Sequence, residues 1–171
     1  MDSFKKVLLP IILTMIFIIA AGIFYRKNQG LSPLPSYSKN TPAVQETKNV
    51  TIGNAVIKVE IADSDIKRQK GLSGRTSLEK DGGMLFVITD NKSTPTFWMK
   101  DMKIAIDIIW LKNGKIIQID KNVAPPTAGT SDKNLKLYSP KTAVDYVLEV
   151  NSGFSAKHKI RIGDTVSIEG H

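Results

Sequence analysis

The stretch KIAIDIIWLKNGKIIQI, residues 103–119, decides the fold. Asn113-Gly114 sits between Trp110-Leu111 on one side and Ile116-Ile117 on the other. Asn and Gly tolerate the left-handed backbone that a two-residue hairpin turn needs, so the pair predicts two antiparallel strands. The run over residues 104–111 is apolar throughout except for Asp107. Strand alternation places Asp107 with Ala105 and Ile109, and Ile106 with Ile108 on the opposite face.

The same period continues outward. Residues 55–61 put Ala55, Ile57, Val59 and Ile61 on one face and Val56, Lys58 and Glu60 on the other, which reads as a half-buried strand. Asp63 offers an N-cap and Gly71 an end for a short helix through SDIKRQK. Gly71 and Gly74 bracket a turn before Arg75, and Asp81-Gly82-Gly83 is a second turn signal. Strands are expected over 84–88, 96–99 and 146–150, with a loop over 121–139 that holds Pro125-Pro126. Asn151 or Ser152 can cap a short helix through His158, and Gly163-Asp164 turns the chain into a last strand at 166–168. Many short strands, two short helices and no βαβ spacing predict a mainly β fold: a single compact β-sandwich or barrel-like domain over residues 50–171.

What precedes the domain is different in kind. Residues 7–24 are eighteen residues without a charge, interrupted only by Pro10 and Thr14. As a helix they would span roughly 27 Å, close to a bilayer's hydrocarbon core. Lys5 and Lys6 flank one end, and Tyr25, Arg26 and Lys27 the other. The apolar run passes beyond Ala20-Ala21-Gly22, the small-residue site a signal peptide would use, so residues 1–27 read as an uncleaved N-terminal membrane anchor with one transmembrane helix. Residues 28–49, with three prolines and no apolar period, read as a flexible linker. Charge is equal on the two flanks. The short basic N-tail favours a single-pass protein of the cytoplasmic membrane with its domain facing outside.

The formal charge is +8, but from Val50 onward there are 18 Lys and Arg against 14 Asp and Glu, a net +4. No basic ladder interleaved with aromatics appears, which argues against a nucleic-acid partner. The absence of cysteine removes disulfides, thiolate nucleophiles and Cys-containing zinc sites. No phosphate-cradling loop, serine nucleophile elbow or two-histidine metal motif is present, so no cofactor and no metal are expected.

Two carboxylates stand out inside apolar strands. Asp107 must be exposed on one face or paired, and Arg75 is the expected partner through two hydrogen bonds. Such a pair either is buried and structural or faces a ligand in a cleft. Glu149 shares a face with Val147, while Tyr146, Leu148 and Val150 take the other. If Asp107 and Glu149 converged they could share acid–base work. Trp98, near Lys100, can frame a pocket or serve as core. A soft-metal site would require Met84, Met99, Met102 and His158 to gather.

The segments GLSGRTSL, GGMLFV, FWMKDMKIAIDIIWL and YVLEVNSGFSAKHKIRIGDTV, taken in order, resemble the uncharacterised prokaryotic family known as domain of unknown function 192, from about Val50 to Ile168. The resemblance implies a compact, mainly β fold and frequent export behind a signal peptide or anchor, and no established activity. It places the family's polar signature on Arg75, Lys100, Asp107 and Glu149, with Trp98 and Met99 beside them. The chain departs from the family pattern at Ser73, at Asp101-Met102, at Ala105 and at Thr127.

These observations predict a membrane-anchored, extracytoplasmic accessory or ligand-binding module. Its partners would be the membrane, through residues 7–24, and an envelope ligand or protein. The alternative is a cell-envelope hydrolase or transferase using Asp107 or Glu149 with Arg75. The candidate cluster is Arg75, Trp98, Lys100, Asp107 and Glu149.

Overall fold

A computed structural model describes residues 46–90 and 94–170. The expected anchor and almost all of the linker lie outside the described residues. Among the described residues no helix is long and apolar enough to cross a membrane.

Within the described residues, nine strands and two short α-helices follow one another as β1 (Thr47–Ile52), β2 (Ala55–Ala62), α1 (Asp65–Lys70), β3 (Gly82–Val87), β4 (Phe97–Trp98), β5 (Ile106–Lys112), β6 (Lys115–Val123), β7 (Leu137–Tyr138), β8 (Tyr146–Asn151), α2 (Phe154–Lys157) and β9 (Val166–Ile168). Seven strands form one sheet in the order β6-β5-β8-β3-β2-β1-β9, and β4 pairs with β7 in a separate ribbon. Among these strands only β2 and β3 run parallel, and α1 lies in the connection between them. Asn113 and Gly114 both take positive φ, 50° and 66°, so the β5–β6 turn forms as its sequence predicts.

The sheet curls into a half-barrel. Its two edge strands meet at one end, where Lys115 bridges Thr165 and the Val166 amide donates to the Gly114 carbonyl at 2.8 Å. Each strand of the sheet sends side chains to the inside of the curl: Val50, Ile57, Leu85, Ile109, Ile116, Leu148 and Val166 all belong to one buried cluster. Gly83 makes this interior possible. A Cβ there would lie 2.6 Å from the Glu149 carbonyl and 3.2 Å from Val150 Cγ1.

A second core covers the outside of the curl. Met84, Phe86, Ile106, Ile108, Trp110 and Val147 point outward from the sheet and pack under Leu72, Met99, Met102 and Val144. The β4–β7 ribbon lies over this layer. Phe97 meets Phe86 edge-on at 4.9 Å and Trp110 at 5.4 Å between ring centroids. The domain is therefore one curled sheet with a filled interior and a covered outer face, not a sandwich of two sheets.

Four local expectations change. Ser64, not Asp63, caps the first helix, its hydroxyl accepting from the Lys67 amide at 3.4 Å. A strand not expected from the sequence, Thr47–Ile52, precedes the one at Ala55–Ala62: only Val50 and Ile52 face the core, and the polar residues before them pair with β2 at the surface. The expected loop after residue 121 is partly strand, since β6 runs to Val123. The second helix starts from Gly153 at φ 80°, with neither Asn151 nor Ser152 as cap.

Candidate functional site

Asp107 explains that missing cap. Its carboxylate is fully buried and accepts from the backbone amides of Asn122 at 2.9 Å, Gly153 at 3.2 Å and Ser155 at 2.9 Å. It thus supplies from β5 the acceptor that Gly153 cannot offer to the first turn of α2. Asn122, at φ 53°, lies where the β5–β6 register slips between Ile106 and Ile108, so the same carboxylate also holds a bulge in the edge strand. Asp107 is a structural staple.

Arg75 is not its partner. The guanidinium forks onto Glu60 with both contacts at 2.5 Å. Glu60 is two strands from Glu149 along the outer face, separated by Met84. Glu60's paired hydrogen bonds hold Arg75 above its ordinary pKa. Lys100 turns to the exposed Asp132, and its own carbonyl accepts from Ser73 Oγ at 2.9 Å.

Nor can Asp107 and Glu149 work together. Asp107 is opposite Val150 and faces the inside of the curl with Ile109; Glu149 is opposite Ile108 and Met84 and faces outward with Val147. The sheet stands between the two carboxyl groups. The methionine–histidine gathering fails for a similar reason. Met84, Met99 and Met102 lie in the outer core, while His158 rests on Phe154 of the inner core at 4.3 Å between rings. Among the described residues no three His, Cys, Asp or Glu side chains gather in a way that could hold a metal ion.

Glu149 is the exceptional group. It is 5% exposed and makes no hydrogen bond or ion pair among the described residues. Burial pushes its carboxyl up to about 8. It lines a cleft of about 350 Å³ on the outer face of the sheet. The sheet supplies Phe86 and Glu149; the segment entering and leaving β4 supplies Phe97, Trp98 and Met102; the loop after α1 supplies Leu72. Arg68 and Lys70 give the cleft a basic side, with Arg68 tied to Asp65 at 2.6 Å and to the Val87 carbonyl at 3.0 Å. Trp98 is 52% exposed, so its indole presents a large apolar face to solvent beside the cleft. The two loops that frame the opening are clasped, because the Gly74 amide donates to the Asp101 carbonyl at 2.9 Å. A broader depression of about 480 Å³ runs past Ile61, Ile66 and Arg75, but its Arg75 and Lys67 are already paired with Glu60 and Asp63.

Of the five expected site residues the fold therefore brings two together, Trp98 and Glu149. Arg75, Lys100 and Asp107 lie elsewhere. Arg68, Leu72, Phe86, Phe97 and Met102 complete the cleft, and they stand within or beside the same segments that carry the family resemblance. Ser73 and Met102, two of the departures from the family pattern, both line it.

Fold and site define a class of domain: a curled, mainly β half-barrel bearing an acid-floored aromatic cleft on the outer face of its sheet. The chain belongs to the uncharacterised family DUF192, described as Uncharacterized ACR, COG1430, which matches residues 44–168. It is 28% identical over 111 residues to UPF0127 protein TK1120 of Thermococcus kodakarensis, and the match spans 64% of that relative's length and 64% of this chain. A crystal structure from Sinorhizobium meliloti 1021, of a protein provisionally named a transcription regulator, has 25% identity and a TM-score of 0.65, covering 74% of this chain and 97% of its own. A crystal structure of a protein of unknown function from Novosphingobium aromaticivorans has 25% identity and a TM-score of 0.61, covering 80% and 98%.

Proposed function

We propose that this chain is a membrane-tethered binding module, standing outside the cytoplasmic membrane, whose site is the cleft between Trp98 and Glu149. One observation carries the binding reading: a carboxyl that is almost wholly buried, unpartnered among the described residues, and set in the wall of an aromatic cleft open to solvent. The carboxyl keeps a small contact with solvent in the cleft, where a bound ligand would meet it directly. The tether and the outside placement are supported by the uncharged run at residues 7–24 and its basic and aromatic flanks.

The rival hydrolase or transferase needs Asp107 or Glu149 with Arg75 as its clamp, but the Arg75 guanidinium is forked onto Glu60 and Asp107 is taken up by three backbone amides. Binding is tested by ligand-observed NMR of small amphipathic molecules against the full-length chain. Ligands that bind the wild type should lose their signal changes with Trp98→Ala or Glu149→Gln. Ligands indifferent to both substitutions would remove the cleft as the site. Placement is tested separately by adding protease to intact cells: digestion of the domain supports the outside, and protection reverses it.

A further inference from the structure

We infer that the ligand of this cleft is an organic cation, a primary ammonium carried on an apolar body, held between Glu149 and the exposed indole of Trp98. The inference rests on reading the cleft as the binding site and goes on to name what that site selects.

The argument begins with what surrounds the carboxyl. Glu149 is flanked in the sheet by Met84 on β3 and Ile108 on β5, neither of which offers a donor. The nearest charged groups along the same face are Glu60 on β2, engaged by Arg75, and Asp120 on β6, which accepts from the Trp110 indole at 2.6 Å. From α1 come Arg68, engaged by Asp65, and Lys70. The β4 segment contributes Thr96, Phe97 and Trp98, with no charge. Two cations, Arg68 and the exposed Lys70, line the cleft with Glu149, but Arg68 is held by Asp65 and the Val87 carbonyl and neither is paired with Glu149; the other acidic groups on this face are already satisfied.

The walls match the same ligand. Aromatic faces attract a cation through their quadrupole, and the attraction is strongest where water is excluded. An apolar body attached to the ammonium would find Leu72, Ile88 and Met102. A neutral ligand would gain the apolar contacts alone. A carboxylate ligand could share the Glu149 proton at low pH but would face repulsion once that proton left.

The proton balance follows. Below about pH 8 the free cleft holds Glu149 as the neutral acid. The arriving ammonium replaces that proton as the counter-charge. Glu149 becomes a carboxylate, the ligand keeps all its protons, and one proton passes to the buffer. Affinity therefore rises with pH, by up to about tenfold per pH unit, until Glu149 is ionised in the free protein.

The test is calorimetry of the full-length chain in mild detergent with 2-phenylethylamine, the isosteric alcohol 2-phenylethanol and the acid 3-phenylpropionate. Each is titrated between pH 6 and 8.5 in two buffers of different ionisation enthalpy. The inference expects the amine to bind at least about tenfold more tightly than the alcohol. It also expects release of close to one proton per complex at the lower pH, and loss of that preference and that release in Glu149→Gln. If the alcohol or the acid binds as tightly as the amine and Trp98→Ala weakens it, the cleft is a binding site but the cation is wrong. Uptake of a proton with the acid would point to the same correction. If none of the probes binds, or binding is indifferent to both Trp98→Ala and Glu149→Gln, the inference and the cleft reading fail together. A circular-dichroism melt of each variant confirms that it remains folded.

Discussion

Replacing Glu149 by Gln should make the domain more stable in base than the natural protein. The carboxyl's ordinary value is 4.5 and burial in the cleft raises it to about 8. A folded-state pKa above the unfolded one means that the native state binds the proton more tightly. Stability is then full below about pH 4.5 and is lost as pH rises to about 8, where the folded form also ionises. Each decade corresponds to about 1.4 kcal/mol, so the full window is worth about 3–5 kcal/mol after allowing for water entering the cleft as the charge forms. Gln keeps the size and shape of the side chain and cannot titrate. Its amide is as unpartnered as the neutral acid, so at pH 5 the two proteins should agree within about 1 kcal/mol. At pH 9 the variant should exceed the wild type by about 3–5 kcal/mol. The assay is urea unfolding of residues 44–171, which contain the whole described sheet and both its cores, at five pH values from 5 to 9. Taking the difference between the two proteins cancels every other titrating group. A difference that stays flat across that range, or a wild type that gains on the variant towards base, would refute the reasoning and place Glu149 in water or beside an unseen cation.

Asp107→Ala should cost about 3–5 kcal/mol, because it orphans buried amides at the start of α2 and in the β6 bulge; the melting temperature measures it, and a loss below about 1 kcal/mol would show that water replaces the carboxylate. Gly83→Ala should cost at least about 2 kcal/mol, since the new methyl meets a backbone oxygen rather than a yielding side chain; denaturant midpoints check this. Trp98→Ala should cost no more than about 2–3 kcal/mol of stability, as half of the residue is already in water, and weaken cleft ligands by about tenfold or more; a loss of stability with unchanged affinity would make Trp98 a core residue.

Much of the topology follows from short-range chemistry. Asn113-Gly114 and the alternation in β2, β5 and β8 are local signals, and their strands appear where they point. The parity of Asp107 with Ile109 and of Glu149 with Val147 is also readable from the chain. Whether those two faces coincide depends on how β5 and β8 align, and the pairing of Asp107 with Val150 and of Ile108 with Glu149 is a tertiary fact. Arg75 illustrates the same limit. Its charge predicts a carboxylate partner, but Asp107 and Glu60 are equally good candidates until β2 is placed beside β3. The staple from Asp107 to α2 could not be read at all, because the acceptor and the amides it serves lie 46 and 48 residues apart. The cleft combines these difficulties: its aromatic residues look like core in sequence, and only the curl of the sheet and the ribbon above it leave Trp98 open to solvent.

The meeting of β9 with β1 and with the turn at Gly114 has a consequence for synthesis. Val50 and Ile52 pair with Ile168 and Val166 across more than 110 residues. Until those last strand residues leave the ribosome, β1 has one bare edge and the half-barrel has an open seam. Contacts of such long sequence separation close late and slowly. A chain that translates in order would therefore wait with its apolar interior unsealed, which is the interval when a holding chaperone has a surface to grip. Pulling the nascent chain at successive lengths would register the closing force only after β9 has cleared the tunnel.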